Sequence, residues 1–505
     1  MKENPKKIDF DMEIKSMKKF LICLVCVGMV FCSCASYKTP VVDMPQESIS
    51  PSTDKPVDSY KTAIKEEAAD SEVKTEKVQT KAVEISDKWW EIFNDETLNA
   101  LEKEALENNS DLQMAMARIE QAKANLTLSR GNQWPSINLV GQYQNSKTFD
   151  TLKKYGILSD RYMVGLSASY EFDLWGRYYK DSKSAKTQYL ATKAGKDAVV
   201  LSLTSEVAKT YFKLLALQAQ AEIAQETLKS REESFNVYQS RFKNGVVNEL
   251  DFRRVEAEME SVRVQVYSLE YVLETVKTSL SVLLGKTPKD IFSAEYKDKK
   301  DLKSIVFIPE IPEGITSDVI SKRPDIYQAQ KQLEALNYKV KSTKTILYPS
   351  ITLTGMAGYA SYELEDLLKS ENDTWSYSAD LAFPLFTGGK VKGNYKAAKA
   401  EYDQELAAYK QTVQTAFKEI LDAITANRFN KQILETSLKE EEALEISYKI
   451  SIKREQAGIA SLLDVLDVER SLLQTQISVV DSQLDQINSI IDFCKALGGG
   501  WVKKE

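Results

Sequence analysis

From Trp375 to Leu385 the chain alternates, with Trp375, Tyr377, Ala379, Leu381, Phe383 and Leu385 separated by Ser376, Ser378, Asp380, Ala382 and Pro384. Tyr162, Val164, Leu166, Ala168, Tyr170, Phe172 and Leu174 stand in the same way against Ser167, Ser169, Glu171 and Asp173. Two shorter runs repeat it: Ile137, Leu139 and Tyr143 among Ser136, Asn138 and Gln142, and Ile351, Leu353, Ala357 and Tyr359 among Ser350, Thr352 and Thr354. Period two gives one apolar and one polar face. Strands are therefore expected at about 136–145, 161–174, 350–360 and 375–386. Aromatic ends, a length near ten residues and a polar second face fit a transmembrane barrel strand, although a half-buried soluble sheet shows the same alternation. Four strands cannot close a barrel, and lipid does not tolerate an open sheet edge. Two copies would give a barrel filled by its own side chains, so three copies are the smallest set that leaves a channel.

The remainder reads as long helix. No proline occurs between Ser136 and Thr287 or after Pro384. From Tyr179 to about Phe242 two apolar stripes run side by side: Val200, Leu203, Val207, Leu214 and Leu217 in one, Leu201, Ala208 and Leu215 in the other. Two stripes mean a neighbour on each flank, as in a stave of a closed helical cylinder. About 60 residues of helix span roughly 90 Å. The predicted turns fall at Asn244-Gly245 and Ala457-Gly458, where glycine tolerates a left-handed backbone. Returning helices are expected over 249–284 and 462–497.

These elements occur twice. Trp134-Pro135-Ser136-Ile137 matches Tyr348-Pro349-Ser350-Ile351, and Arg241, Gly245, Leu250, Asp251 and Val255 match Arg454, Gly458, Leu463, Asp464 and Val468. Matches in one order across both halves mark a duplication. The halves are placed at 87–300 and 301–505.

Composition narrows the chemistry. The 505 residues contain no histidine and carry a net charge of −7. That removes imidazole-dependent nucleophiles and zinc sites, and it argues against nucleic acid. No cofactor or metal site is expected, and no enzyme, since only carboxylate chemistry remains and no catalytic motif accompanies it. Lys18 and Lys19 precede an apolar run from Phe20 to Phe31, the pattern of a secretory signal over 1–33. Ser33 before Cys34 resembles a bacterial lipobox, making Cys34 the candidate lipidation site. Residues 34–86 are polar and read as a flexible tether. Cys494 reads as a buried hydrophobe.

Taken together, Trp89-Trp90-x-x-Phe93-x-Asp95-x-x-Leu98, Phe172-Asp173-Leu174-Trp175-Gly176-Arg177, Arg323-Pro324-Asp325-Ile326 and Pro384-Leu385-Phe386-x-Gly388-Gly389 resemble the TolC-like outer-membrane efflux family, in its lipoprotein branch. The resemblance implies a mainly α fold with membrane β: a long α-helical barrel and four strands per protomer completing a twelve-stranded trimeric β-barrel. It implies a passive exit duct for drugs or other small molecules in the outer membrane, reaching into the periplasm. The implied partners are a periplasmic adaptor protein and an inner-membrane RND-type transporter. It places Asp464 and Asp467 at a channel constriction and the tip turns Gly245 and Gly458 at the adaptor contact. Asp251 belongs to the implied gate network. Ala460 stands where an arginine often completes that network, leaving Arg454 or Arg470 to supply the charge. Rings of carboxylates would draw cations, and their crowding would raise some carboxyl pKa values. Competing readings are a protein-secretion or metal-efflux duct of the same architecture, a non-channel helical lipoprotein scaffold, and a carboxylate-dependent hydrolase.

Overall fold

The computed structural model describes residues 88–150, 155–293 and 323–499. The predicted signal, Cys34 and the tether lie outside the described residues. A short 3-10 turn (Trp89–Phe93) leads into α1 (Glu96–Asn108) and α2 (Ser110–Gly131). Then come β1 (Ser136–Asp150), β2 (Tyr155–Phe172), α3 (Arg177–Lys243), α4 (Glu249–Leu283) and α5 (Pro288–Ser293). The second half runs α6 (Pro324–Thr345), β3 (Ser350–Ser361), β4 (Asp373–Ala382), α7 (Lys390–Gln456) and α8 (Leu462–Ala496). The duplication is visible element by element. α3 and α7 both have 67 residues, α4 and α8 both have 35, and α2 and α6 both have 22.

The four strands form one antiparallel sheet in the order β1-β2-β3-β4. β1 and β2 run longer than their alternation predicts, because pairing continues from Asn145↔Asp160 to Asp150↔Tyr155. Polar residues there hide the period, but backbone hydrogen bonds need no apolar side chain. β4 stops at Ala382, short of 386, because Pro384 has no N–H to donate. β2 ends at Phe172, where the Asp173-to-Gly176 turn begins.

Register sorts the two faces. Leu139, Leu166, Ala357 and Trp375 form one cross-strand row, and Ile137, Ala168, Gly355 and Tyr377 form the next. On the opposite face, Asn138, Ser167, Met356 and Ser376 align, beside Ser136, Ser169, Thr354 and Ser378. The apolar face is bare within one protomer: Leu139, Trp375 and Tyr377 are all at least 70% exposed. A soluble half-buried sheet would cover that face, so the bare face decides between the two readings of the alternation.

Below the sheet, α3 and α7 each run about 100 Å as single helices. α2 packs on α3, α3 on α6 and α6 on α7, so the layer next to the sheet runs α2-α3-α6-α7. Farther away, α3 packs on α4 and α8, and α8 on α7, giving α4-α3-α8-α7. Each inner stave thus has two flanking neighbours, as its paired stripes require. Between the layers lies the largest core, where Trp89, Phe93 and Leu98 meet Tyr211, Phe212, Leu280 and Ile491. The Trp89 indole donates to Thr204, and Asp95 caps α1 through the Leu98 N–H while accepting from the Tyr211 hydroxyl. Arg323 ties three elements of the second half together, donating to Asp325 on α6, to Glu419 on α7 and to the Ala496 carbonyl at the end of α8. Cys494 is buried, and burial pushes its thiol up to about 12.

Candidate functional site

The candidate site is the end of the helical layers farthest from the sheet, where two turns reverse the chain. At the first, the Val246 N–H reaches back to the Arg241 carbonyl at 2.8 Å and Gly245 adopts a φ of 72°. At the second, the Ile459 N–H bonds the Arg454 carbonyl at 2.8 Å and Gly458 has a φ of 71°. These are matching Schellman closures, which place glycine in the left-handed region. Each exposes two large apolar side chains, Val246 and Leu250 in the first and Ile459 and Leu463 in the second.

The next helices are capped alike. Asn248 accepts from the Asp251 N–H at the start of α4. Ser461 accepts from the Asp464 N–H at the start of α8, while the Asp464 carboxylate accepts from the Ser461 N–H at 2.9 Å. Asp464 therefore serves as the third residue of a capping box. The Ser461 backbone and hydroxyl hold its carboxyl below the usual range, with Arg454 adding to the effect. The expected upward shift is absent at Asp464 within the protomer, because bonds to the charged form outweigh any crowding there. Asp467 lies one turn on, exposed, and pairs with Arg470 at 2.8 Å. Arg470 also approaches Glu258 on α4 at 3.5 Å, linking the two hairpins.

The structure thus joins Asp467 and Arg470 directly. Asp251 bonds Asn248 and approaches Arg254 at 3.8 Å, so it contacts neither Arg454 nor Arg470 within the protomer. At the position of Arg454, the backbone carbonyl closes the turn, and the guanidinium acts on Asp464 through its charge.

Sequence reasoning missed a second polar cluster just above the tips. Arg231 on α3 and Glu469 on α8 are both buried, with Nε 3.2 Å from Oε2. Ser230 donates to the same carboxylate, and Arg231 reaches the Leu466 carbonyl. Burial pushes the Glu469 carboxyl up, opposed by Arg231, while burial next to Glu469 pushes Tyr448 of α7 up to about 12. Arg231 Nε and Nη1 lack hydrogen-bonding geometry to any acceptor, so the pair is close but imperfectly satisfied. Tyr238 of α3 donates to Glu455 of α7 at 3.3 Å, a further tie between hairpins.

Among the described residues no group of Cys, Asp and Glu is arranged to hold a metal ion. No described helix is long and apolar enough to cross a membrane, which leaves the sheet as the element with a bare apolar face.

Residues 101–286 and 315–499 match the family model described as outer membrane efflux protein. The chain is 32% identical over 414 residues to the solvent efflux pump outer membrane protein SrpC of Pseudomonas putida, covering 81% of this chain and 87% of that protein. It is 31% identical over 417 residues to the cation efflux system protein CusC of Escherichia coli, covering 82% and 88%. The crystal structure of the Campylobacter jejuni CmeC outer membrane channel superposes with a TM-score of 0.78 at 28% identity, covering 91% of this chain and 96% of that one.

Proposed function

This chain belongs to the outer membrane efflux protein family, and from that premise we propose that three copies close into one duct serving a tripartite pump. The observation that carries the proposal is the unfinished protomer. β1 and β4 each have a single paired neighbour, and the sheet's apolar face is bare. The helical layers are open on the same two sides, at α2 and α4 on one and along α7 on the other. Val264, Tyr267 and Tyr271 on α4 and Phe429, Ile433, Ile446 and Ile450 on α7 are exposed apolar side chains. They form the seam between copies. The repeats at 87–300 and 301–505 then each supply one sixth of the wall, and Cys34, freed by removal of 1–33, carries lipid on a tether over 34–86.

In the trimer Asp464 and Asp467 stack as two rings of three at the narrow end, favouring cations over anions. Asp467–Arg470–Glu258 and Arg231–Glu469 hold the hairpins of each protomer together, and opening swings them apart at the tips. Val246, Leu250, Ile459 and Leu463 form the apolar surface on which the periplasmic adaptor docks. The duct itself is passive, and an RND-type transporter in the inner membrane supplies energy. Similarity to both a solvent and a cation efflux protein leaves small molecules and metal ions as the two cargo classes.

The test is planar-bilayer conductance of purified protein. A duct gives discrete, cation-preferring channels from a detergent-requiring trimer. A Cys34→Ser protein lacking 1–33 that is monomeric and soluble without detergent would instead establish a periplasmic scaffold.

A further inference from the structure

The chain leaves α8 through the interior. The Gly498 N–H bonds the Lys495 carbonyl at 3.0 Å and the Gly499 N–H bonds the Cys494 carbonyl at 2.9 Å, a Schellman closure with φ of 86° and 57° at the two glycines. Both glycines are buried. A Cβ on Gly498 would stand 3.4 Å from the Arg323 Cα, and one on Gly499 would stand 2.5 Å from Leu201 Cδ1 and 3.3 Å from Trp89 Cδ1. The chain is thus threaded between the start of α6 and the main core, along a path open only to residues without side chains.

That path leads to a cavity of about 480 Å³, which both glycines line. Its apolar wall comes from three separate parts of the chain: Trp89 and Trp90 in the first turn, Leu190, Val200 and Leu201 on α3, and Pro324 on α6. Trp89 and Trp90 already belong to the largest core, so the cavity is a gap beside that core, and interiors tolerate few gaps of such size. The sequence continues Gly500-Trp501-Val502. Two residues of chain beyond Gly499 reach at most about 7 Å, which sets Trp501 at the cavity. An indole is a large apolar body that needs one acceptor for its N–H when buried, and the Asp197 carboxylate lines the same space. Two other segments adjoin the cavity in sequence, 315–322 ahead of Arg323 and 82–87 ahead of Lys88. Their nearest large apolar residues, Ile320 and Ile85, each stand four positions from the cavity wall and carry less apolar surface than an indole.

We propose that Trp501 docks in this cavity and completes the core around Trp89. The docked indole fastens the end of α8 to α3 and to the turn at Trp89–Phe93, so one side chain from the close of the second repeat locks onto elements of the first. The inference goes beyond the duct reading and does not depend on it, since every wall of the cavity belongs to one protomer.

The test is fluorine NMR of the full-length protein in detergent, with its six tryptophans replaced by 5-fluorotryptophan. The signal missing from Trp501→Phe identifies position 501. It is expected to broaden under a water-soluble gadolinium chelate as slowly as the signals of Trp89 and Trp90, and Val200→Phe, which fills the cavity, should expose it. Val502→Cys keeps the indole in place and should cross-link to Lys193→Cys at the cavity rim, ahead of Ile320→Cys or Ile85→Cys paired with the same Lys193→Cys. A signal at 501 that broadens as fast as free tryptophan overturns the proposal. So does protection that Val200→Phe leaves unchanged, because the indole would then be covered by detergent or by a second copy. A cross-link that favours position 320 or 85 also overturns it, by naming another segment as the occupant. Where Val200→Phe fails to fold, the cross-link comparison decides on its own.

Discussion

Glu102 sits on α1 in the core between the helical layers, fully buried, and neither carboxyl oxygen has a hydrogen-bond partner. Burial pushes its pKa from 4.5 up to about 9. The folded protein therefore holds it protonated at neutral pH, while the unfolded chain ionises it from about pH 4.5 upward. No cost arises below that value. Above it, the unfolded state gains with each pH step until the folded carboxyl also ionises near pH 9. At pH 7 the cost to the folded state is about 3 kcal/mol. Glu102→Gln keeps the shape and removes the titration. The variant and the wild type should have similar thermal stability at pH 4.5, with the variant pulling ahead as pH rises, by about 3 kcal/mol at pH 7. The assay is loss of helical circular dichroism on heating in detergent, at fixed protein concentration, from pH 4.5 to 8. Other carboxylates titrate in both proteins, so the quantity of interest is the difference between the two curves. A difference that stays flat across this range, or a variant less stable at pH 7, would refute the reasoning.

Three further outcomes follow from the geometry. Glu469→Gln leaves Arg231 buried without its counter-charge and should cost about 3–5 kcal/mol, while Arg231→Met/Glu469→Leu should recover most of that loss on heating. Leu139→Arg or Leu166→Arg places a charge in the bare apolar row and should cost about 2–4 kcal/mol, read as lost membrane insertion, whereas Asn138→Arg on the opposite face should insert normally. Asp467→Asn should weaken the cation preference of single channels and release Arg470 from its 2.8 Å partner, leaving conductance of the upper duct unchanged in a variant already opened at the tips.

The sheet was legible wherever alternation was strong. Leu139, Leu166, Ala357 and Trp375 align in one row because a period of two tolerates no slip across a bare apolar face. The strand ends were not legible, since Ser146, Lys147 and Thr148 join the ladder without any apolar alternation to announce it. Helix lengths and tip turns could be read from absent prolines and from Gly245 and Gly458. The polar cluster above the tips could not. Arg231 lies in Lys229-Ser230-Arg231-Glu232-Glu233, which reads as a solvated face, and its partner Glu469 is more than 230 residues away. Glu102 was hidden in the same way, as one acid among four on an amphipathic helix. At Asp464 the Ser461-x-x-Asp464 spacing is itself a capping signal, and it accounts for the side chain's bonds within the protomer.

The central claim is that the open edges of three copies close on one another, and cysteine cross-linking across those edges tests it most directly. Asn138→Cys with Ser167→Cys, which face each other within one chain, serves as the internal control. Cysteines placed in turn along β1 at 138, 140 and 142, each with Ser376→Cys on β4, should yield a covalent species of three chains and nothing larger. A control pair that closes while every β1–β4 pair stays monomeric, or ladders that stop at two chains or run beyond three, would contradict the account.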